Sequence, residues 1–199
     1  VRKLFLLSPA KVTGVRAKML LKPQAPFALA RQFRREGLPL AEVFTFASGL
    51  YFRGKITYAR RFAEADNGDR IRLITANAGL VAPELHVGPA ELAAFGDVDI
   101  HEEDPRYHGP LTRDAKKFAT EIGQGGQVIL LGSIATAKYR DVLLGCFGER
   151  LLFPSDFVGR GDMSRGALLL RAARAGVELN YAPVLGAVTR GKRAPRVGG

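Results

Sequence analysis

The chain of 199 residues carries a formal charge of +11, with 47% hydrophobic and 25% charged residues. That usage excludes global disorder and suits one compact domain with a substantial core. No apolar run approaches the ~20 residues that cross a bilayer, and the opening VRKLFLLSPAKV holds only LFLL, too short for a signal-peptide core, so the expectation is a cytoplasmic protein with no membrane partner.

Short apolar runs alternate with small-residue loops and helical periods, the pattern of an α/β fold. In chain order the expected elements are a strand at Lys3–Leu7, a helix at Pro26–Glu36, a strand at Glu42–Phe46, a helix at Gly54–Ala65 and a strand at Ile71–Thr75. An irregular loop over 76–110 follows, containing Pro83, Pro89, Pro105 and Pro110, and a connection this long is often functional. Beyond it come a helix at Thr112–Ile122, a strand at Gln127–Leu131, a helix at Ala135–Phe147, a short strand at Arg150–Phe153, a helix at Met163–Ala175 and a strand at Val177–Tyr181. The expectation is therefore α/β: a single compact domain over residues 3–182, with a central, largely parallel mixed sheet flanked by helices. Residues 183–199 read as a basic tail that is mobile or touches a polyanion.

Charge is unevenly spread along these elements. Val1–Arg35 holds nine Lys or Arg and no acid, whereas Glu84–Asp104 holds seven acids and no Lys or Arg. The field outside the acidic stretch suits a nucleic acid or nucleotide-like anion as partner. The single cysteine, Cys146, permits no intramolecular disulfide and lies in the apolar VLLGCFG, so it reads as a packed thiol. His86, His101 and His108 have no compact ligand spacing, and neither a metal nor a cofactor is expected.

Polar loops follow the expected strands: SPAK after the first, ASGLYFRGK after the second, ANAGL after the third and GSIATAKY after the fourth. In open α/β sheets ligands bind beyond the carboxyl ends of parallel strands, so these loops are candidates for one shared site. Ser8 and Lys11 come from the first loop, with Lys11 as a phosphate donor or, if desolvated, a nucleophile or base. Tyr51 is placed to stack on a base, with Arg53 and Lys55 as phosphate donors. Asn77 belongs to the third loop. In the fourth, Ser133 sits at a helix start whose open amides favour an anion, followed by Lys138 and Tyr139. The later stretch FVGRGDMSRGALLLR offers Arg160, Ser164 and Arg165 around a helix start, with Asp162 as cap or general base. Neither GxxxxGK[ST] nor GxGxxG is present.

Taken in order, LLSPAK, ASGLYFRGK, VILLGSIATAKY and VGRGDMSRGALLLR resemble the peroxide-stress (YaaA) family and its shorter relatives, over about Lys3 to Tyr181. The resemblance implies a compact α/β protein that binds DNA and protects it in oxidative stress, related at fold level to nucleobase-handling proteins. The matching positions are Ser8, Lys11, Ser48 to Tyr51, Ser133, Lys138, Tyr139 and Arg160 to Arg165. A helix-hairpin-helix contact of the family type is not recognisable in this chain. The alternative expectation is an enzyme acting on a nucleobase, nucleoside or nucleotide, with Lys11 and Asp162 as its reactive groups. Oligomeric state is not legible.

Overall fold

A computed structural model describes residues 2–63 and 70–189. Strand β1 (Lys3–Leu7) is followed by four helices, α1 (Val15–Leu21), α2 (Ala28–Glu36), α3 (Leu40–Ser48) and α4 (Leu50–Phe62), before β3 (Ile71–Ile74). Between α2 and α3, the two-residue β2 (Leu38–Pro39) pairs antiparallel with β5 (His86–Val87). The chain continues through β4 (Leu80–Val81), α5 (Pro89–Gly96), α6 (Pro105–Glu121), β6 (Gln127–Leu131), α7 (Ala137–Phe147), β7 (Leu151–Pro154), α8 (Asp162–Ala175) and β8 (Tyr181–Pro183).

The main sheet has the order β4-β3-β1-β6-β7-β8. Its four central strands are parallel, and β4 and β8 close the rims antiparallel. The expected largely parallel mixed sheet flanked by helices is the architecture of the protein. β1 and β6 supply five- and five-residue runs, KLFLL and QVILL, of which all but the first residue of each are buried. Continuous apolar runs of this kind belong to strands covered on both faces. The two covers can be told apart: Phe5 of β1 packs edge-to-face on Tyr58 of α4, while Arg72, in register with Leu6, lies over Phe118 of α6. Helices α4 and α8 pack together on the first face and α6 and α7 on the second.

The order of strands also locates a crevice. From β1 the chain crosses to β3 on one side, then returns past β1 to β6 on the other. The carboxyl ends of β1 and β6 therefore flank a topological switch point, where open α/β sheets bind ligands.

Several expected boundaries move. Glu42–Phe46 is not a strand but the middle of α3. Val, Phe and Thr favour strands locally, yet Leu40, Ala41, Val43 and Phe44 are buried on one helical stripe, and that tertiary burial outweighs propensity. Consequently ASGLYFRGK is a helix-helix junction rather than a strand-end loop: Gly49 turns the chain at φ 61° and α4 begins at Leu50. The expected helix end at Ala65 lies outside the described residues. The stretch 76–110 is ordered, containing β4, β5, α5 and the start of α6, which Asp104 caps by accepting from the Arg106 N–H. Helix α1 has no counterpart among the expected elements. The last strand is Tyr181–Pro183 rather than Val177–Tyr181, and Val184 beyond it is buried, so the fold runs past 182. Of the expected tail, residues 190–199 lie outside the described part.

Helices α4 and α8 touch backbone to backbone. A Cβ on Gly54 would stand 2.7 Å from the Gly166 carbonyl oxygen, and one on Gly166 would stand 2.8 Å from that of Leu50. At the far end of the same layer, Lys3 pairs with Glu178, Tyr181 donates to Glu178 at 3.0 Å, and the Tyr58 and Tyr181 hydroxyls are 2.6 Å apart.

Candidate functional site

The inward stripe of α4 is Tyr51, Phe52, Lys55, Ile56, Tyr58 and Ala59, so helical spacing forces a lysine into the core. Lys55 is 1% exposed. Its Nζ donates to the Ser8 carbonyl at 2.6 Å and lies 2.9 Å from Ser8 Oγ, directly beyond the end of β1. The same ammonium lies 4.5 Å from the Tyr51 ring centroid and 4.9 Å from that of Phe52. Burial pulls the Lys55 pKa down to about 7; the nearby Asp162 carboxylate opposes this and Arg165 adds to it. An amine that stands near half-protonation at neutral pH is suited to accept or deliver a proton.

Tyrosines surround this pair. Tyr139, in the first turn of α7, brings its hydroxyl against Ser8 and the Ser133 backbone. Gly132, at the end of β6, makes room for that approach, because a Cβ there would stand 2.8 Å from the Tyr139 hydroxyl and 2.9 Å from Ser8 Cβ. Gly132→Ala is accordingly expected to push Tyr139 off Ser8 and cost about 1–3 kcal/mol of stability, measurable by denaturant titration.

The Tyr51 hydroxyl is buried close enough to the Arg165 guanidinium to feel its pull, yet among the described residues it makes no hydrogen bond of ordinary geometry. Tyr107 of α6, wholly buried within electrostatic reach of Tyr139, has an unpartnered hydroxyl as well. Burial raises the pKa of Tyr51, Tyr107 and Tyr139 alike, keeping all three as neutral hydroxyls. Arg165 stacks on Phe157 and donates through Nε and Nη2 to the Phe157 carbonyl, which leaves Nη1 3.6 Å from Asp162. The Asp162 side chain is 71% exposed and that of Arg165 12%, so exposure falls from Asp162 inward to Lys55.

Of the residues expected from sequence, the structure brings together Ser8, Tyr51, Lys55, Tyr139, Asp162 and Arg165, with Ser133 beside them. Asp162 is the first residue of α8 and meets Arg165 of its own helix, while Gly161 takes the cap position. Arg160 donates to the Asp156 carbonyl and to Ser164 Oγ, bracing the approach to α8. Lys11 is solvent-exposed; the buried amine on Ser8 is Lys55. Arg53 and Lys138 are likewise exposed, and Asn77 is occupied in donating to the Ala94 carbonyl, tying the β3–β4 turn to α5. Tyr107 was not among the expected residues, because its position falls in the stretch read as irregular loop. Its sequence signal was the Asp104-Pro105 start of a helix whose inward stripe is Tyr107, Leu111, Ala115 and Phe118.

No family model matches the chain, and no curated protein or solved structure matches it. Two cavities among the described residues lie elsewhere. One of about 310 Å³ is lined by Leu29, Ala41, Thr45, Phe46 and Ile56 with Glu42 and Arg60, and another of about 160 Å³ opens at the amino end of β1. Neither offers converging polar groups at a strand's carboxyl end, whereas the Lys55–Ser8 pair lies beside the switch point. His86, His101 and His108 are exposed, and among the described residues no cluster of three or more His, Cys, Asp or Glu is placed to hold a metal ion. No helix among them is long and apolar enough to cross a membrane.

Proposed function

We propose that this chain is an enzyme acting on a nucleobase, nucleoside or nucleotide, by cleaving or forming an N-glycosidic bond or by modifying the base. The observation that carries the reading is Lys55: a buried amine held on Ser8 at the carboxyl end of the central strand, with a pKa drawn down to about 7. In this role Lys55 takes a proton through Ser8 Oγ or returns one to the leaving nitrogen. The Tyr139 hydroxyl steadies the charge that develops beside Ser8.

The test is to incubate the freshly purified protein with bases, nucleosides and their 5′-monophosphates, follow products by chromatography, and examine the protein by native mass spectrometry for a retained ligand. Wild type is expected to consume at least one of these compounds and Lys55→Met none. Failure of the wild type to bind or convert any of them would reject the reading.

A second reading rests on the amino-terminal helices. Lys11, Arg16, Lys18, Lys22, Arg31 and Arg35 are all exposed on or beside α1 and α2, a stretch with no acid before Glu36. This surface suits a nucleic-acid backbone, either as the sole function or as the way a polymeric substrate is held. Binding through it is expected to weaken steeply between low and moderate salt as counterions are released. Salt-independent binding in a filter or anisotropy assay would speak against it.

A further inference from the structure

We infer that the ligand is recognised by a phosphate monoester, of the kind a nucleoside 5′-monophosphate carries, seated between the amino ends of α7 and α8 beside Arg165 and the Tyr51 hydroxyl. The inference rests on the nucleobase-handling reading above and deepens it by naming the anionic handle of the substrate.

Both helices leave the carboxyl edge of the sheet, α7 after β6 and α8 after β7, and run for 11 and 14 residues. Their cap positions, Thr136 and Gly161, provide no side-chain acceptor for the first-turn amides. Open amides and the aligned peptide dipoles make such ends attractive to anions.

A separate observation places a ligand there. Tyr51 is 6% exposed, and its unpartnered hydroxyl is within electrostatic reach of Arg165 and Asp162 on the first turns of α8 and of Tyr139 on the first turn of α7. The orphan donor thus lies within electrostatic reach of the first turns of both helices. Tyr107, close to Tyr139 and also unpartnered, is a second. Buried hydroxyls in native proteins find partners, so an orphan beside these helix starts indicates acceptor atoms contributed by something else.

Charge points the same way. Lys55 is buried and Arg165 half-buried, and among the described residues the carboxylate that acts on both is Asp162, mostly solvated and 3.6 Å from Arg165 Nη1. That carboxylate is the acceptor a phosphate would displace. A ligand carboxylate has two acceptor oxygens, whereas the converging donors comprise a guanidinium edge, tyrosine hydroxyls and two sets of helix amides. Three terminal phosphate oxygens match this surplus better.

The experiment measures binding of inorganic phosphate, ribose 5-phosphate, ribonucleosides and their 5′-monophosphates to the full chain by calorimetry, with Tyr51→Phe and Arg165→Lys alongside. A 5′-monophosphate is expected to bind at least ~30-fold more tightly than its nucleoside, and each variant to reduce that advantage by about 5- to 30-fold. Tyr51→Phe is expected to leave the melting temperature unchanged or slightly raised, since it deletes a hydroxyl that is unsatisfied in the free protein; a merely structural tyrosine would lower it. Equal affinity for nucleoside and monophosphate would overturn the phosphate seat while sparing the nucleobase reading. Equal affinity for inorganic phosphate, ribose 5-phosphate and the nucleotide would uphold the seat and reject the nucleobase reading. If no phosphate compound binds, the seat is overturned, and the turnover assay on Lys55→Met decides the nucleobase reading separately.

Discussion

Lys55→Met is expected to lower turnover by about 10²- to 10⁴-fold, the usual worth of a positioned acid or base, and at the same time to flatten the pH dependence of folding stability. The second effect follows from the sign of the shift. Lys55 titrates at about 7 in the folded chain because burial disfavours its charge, against an ordinary lysine value of 10.5. Below pH 7 both folded and unfolded chains carry the proton, and the folded state bears the full cost of a buried cation. Between pH 7 and pH 10 the unfolded chain still holds the proton while the folded chain has released it, so stability rises with pH by about 1.4 kcal/mol per unit at its steepest.

From about pH 6 to about pH 9 this amounts to roughly 2–3 kcal/mol from Lys55 alone. Above pH 10 the trend reverses, since Tyr51 and Tyr139 resist ionisation when buried and the unfolded chain loses those protons first. Methionine keeps the volume and removes the titration, at the cost of the hydrogen bonds to Ser8. Urea titrations across this range are expected to show a sloping wild type and a variant nearly flat below pH 10. A wild type equally stable at about pH 6 and about pH 9 would mean that Lys55 keeps an ordinary charge when folded.

Gly54→Ala and Gly166→Ala are expected to destabilise the fold strongly for so small a change. In an open helix the extra methyl would help by up to about 1 kcal/mol. Here it meets backbone rather than a side chain that can turn aside, at 2.7 and 2.8 Å. The two helices must separate, loosening the packing of Tyr51 and Lys55 on one side and of Leu169 on the other. We expect a net loss of about 2 kcal/mol or more for either variant by denaturant unfolding. Because a Cβ on Gly166 would also stand 2.9 Å from Tyr51 Cα, and Arg165 is adjacent to Gly166, ligand affinity should fall together with stability. A variant that keeps wild-type stability would show that the crossing is looser than drawn.

The legible parts of the fold were those where one signal spoke alone. KLFLL, IRLI and QVILL are short apolar runs bounded by turn residues, and each is a strand of the parallel centre. LAEVFTFAS carries two signals, β-forming side chains and a helical stripe, and the stripe prevails because α4, α1 and β2 pack against it. The same reversal explains the uneven reading of the site. Ser8, Tyr139, Asp162 and Arg165 were reachable because strand-end loops and helix starts are visible locally.

The role of Lys55 was not visible, since a lysine in FRGK looks like a surface phosphate donor until α4 is seen to begin at Leu50 and turn that residue inward. Lys11 invites the reactive role because it lies in the loop that follows the first strand, but it is exposed. The partner of Ser8 in space is 47 residues away. Tyr107 was hidden by prolines that were read as breaking structure, where Pro105 in fact opens α6 in the first turn, a position that tolerates the missing N–H.

The joining of Lys3 to Glu178 and of Tyr58 to Tyr181 bears on how the chain reaches this state. The middle strand of the sheet pairs with β6, from the far half of the sequence, and its first residue is held by a carboxylate 175 positions later. Little of the centre can therefore assemble from neighbours in sequence, and most of the chain must be present before loop closure is rewarded. Such topology favours slow acquisition of the native state.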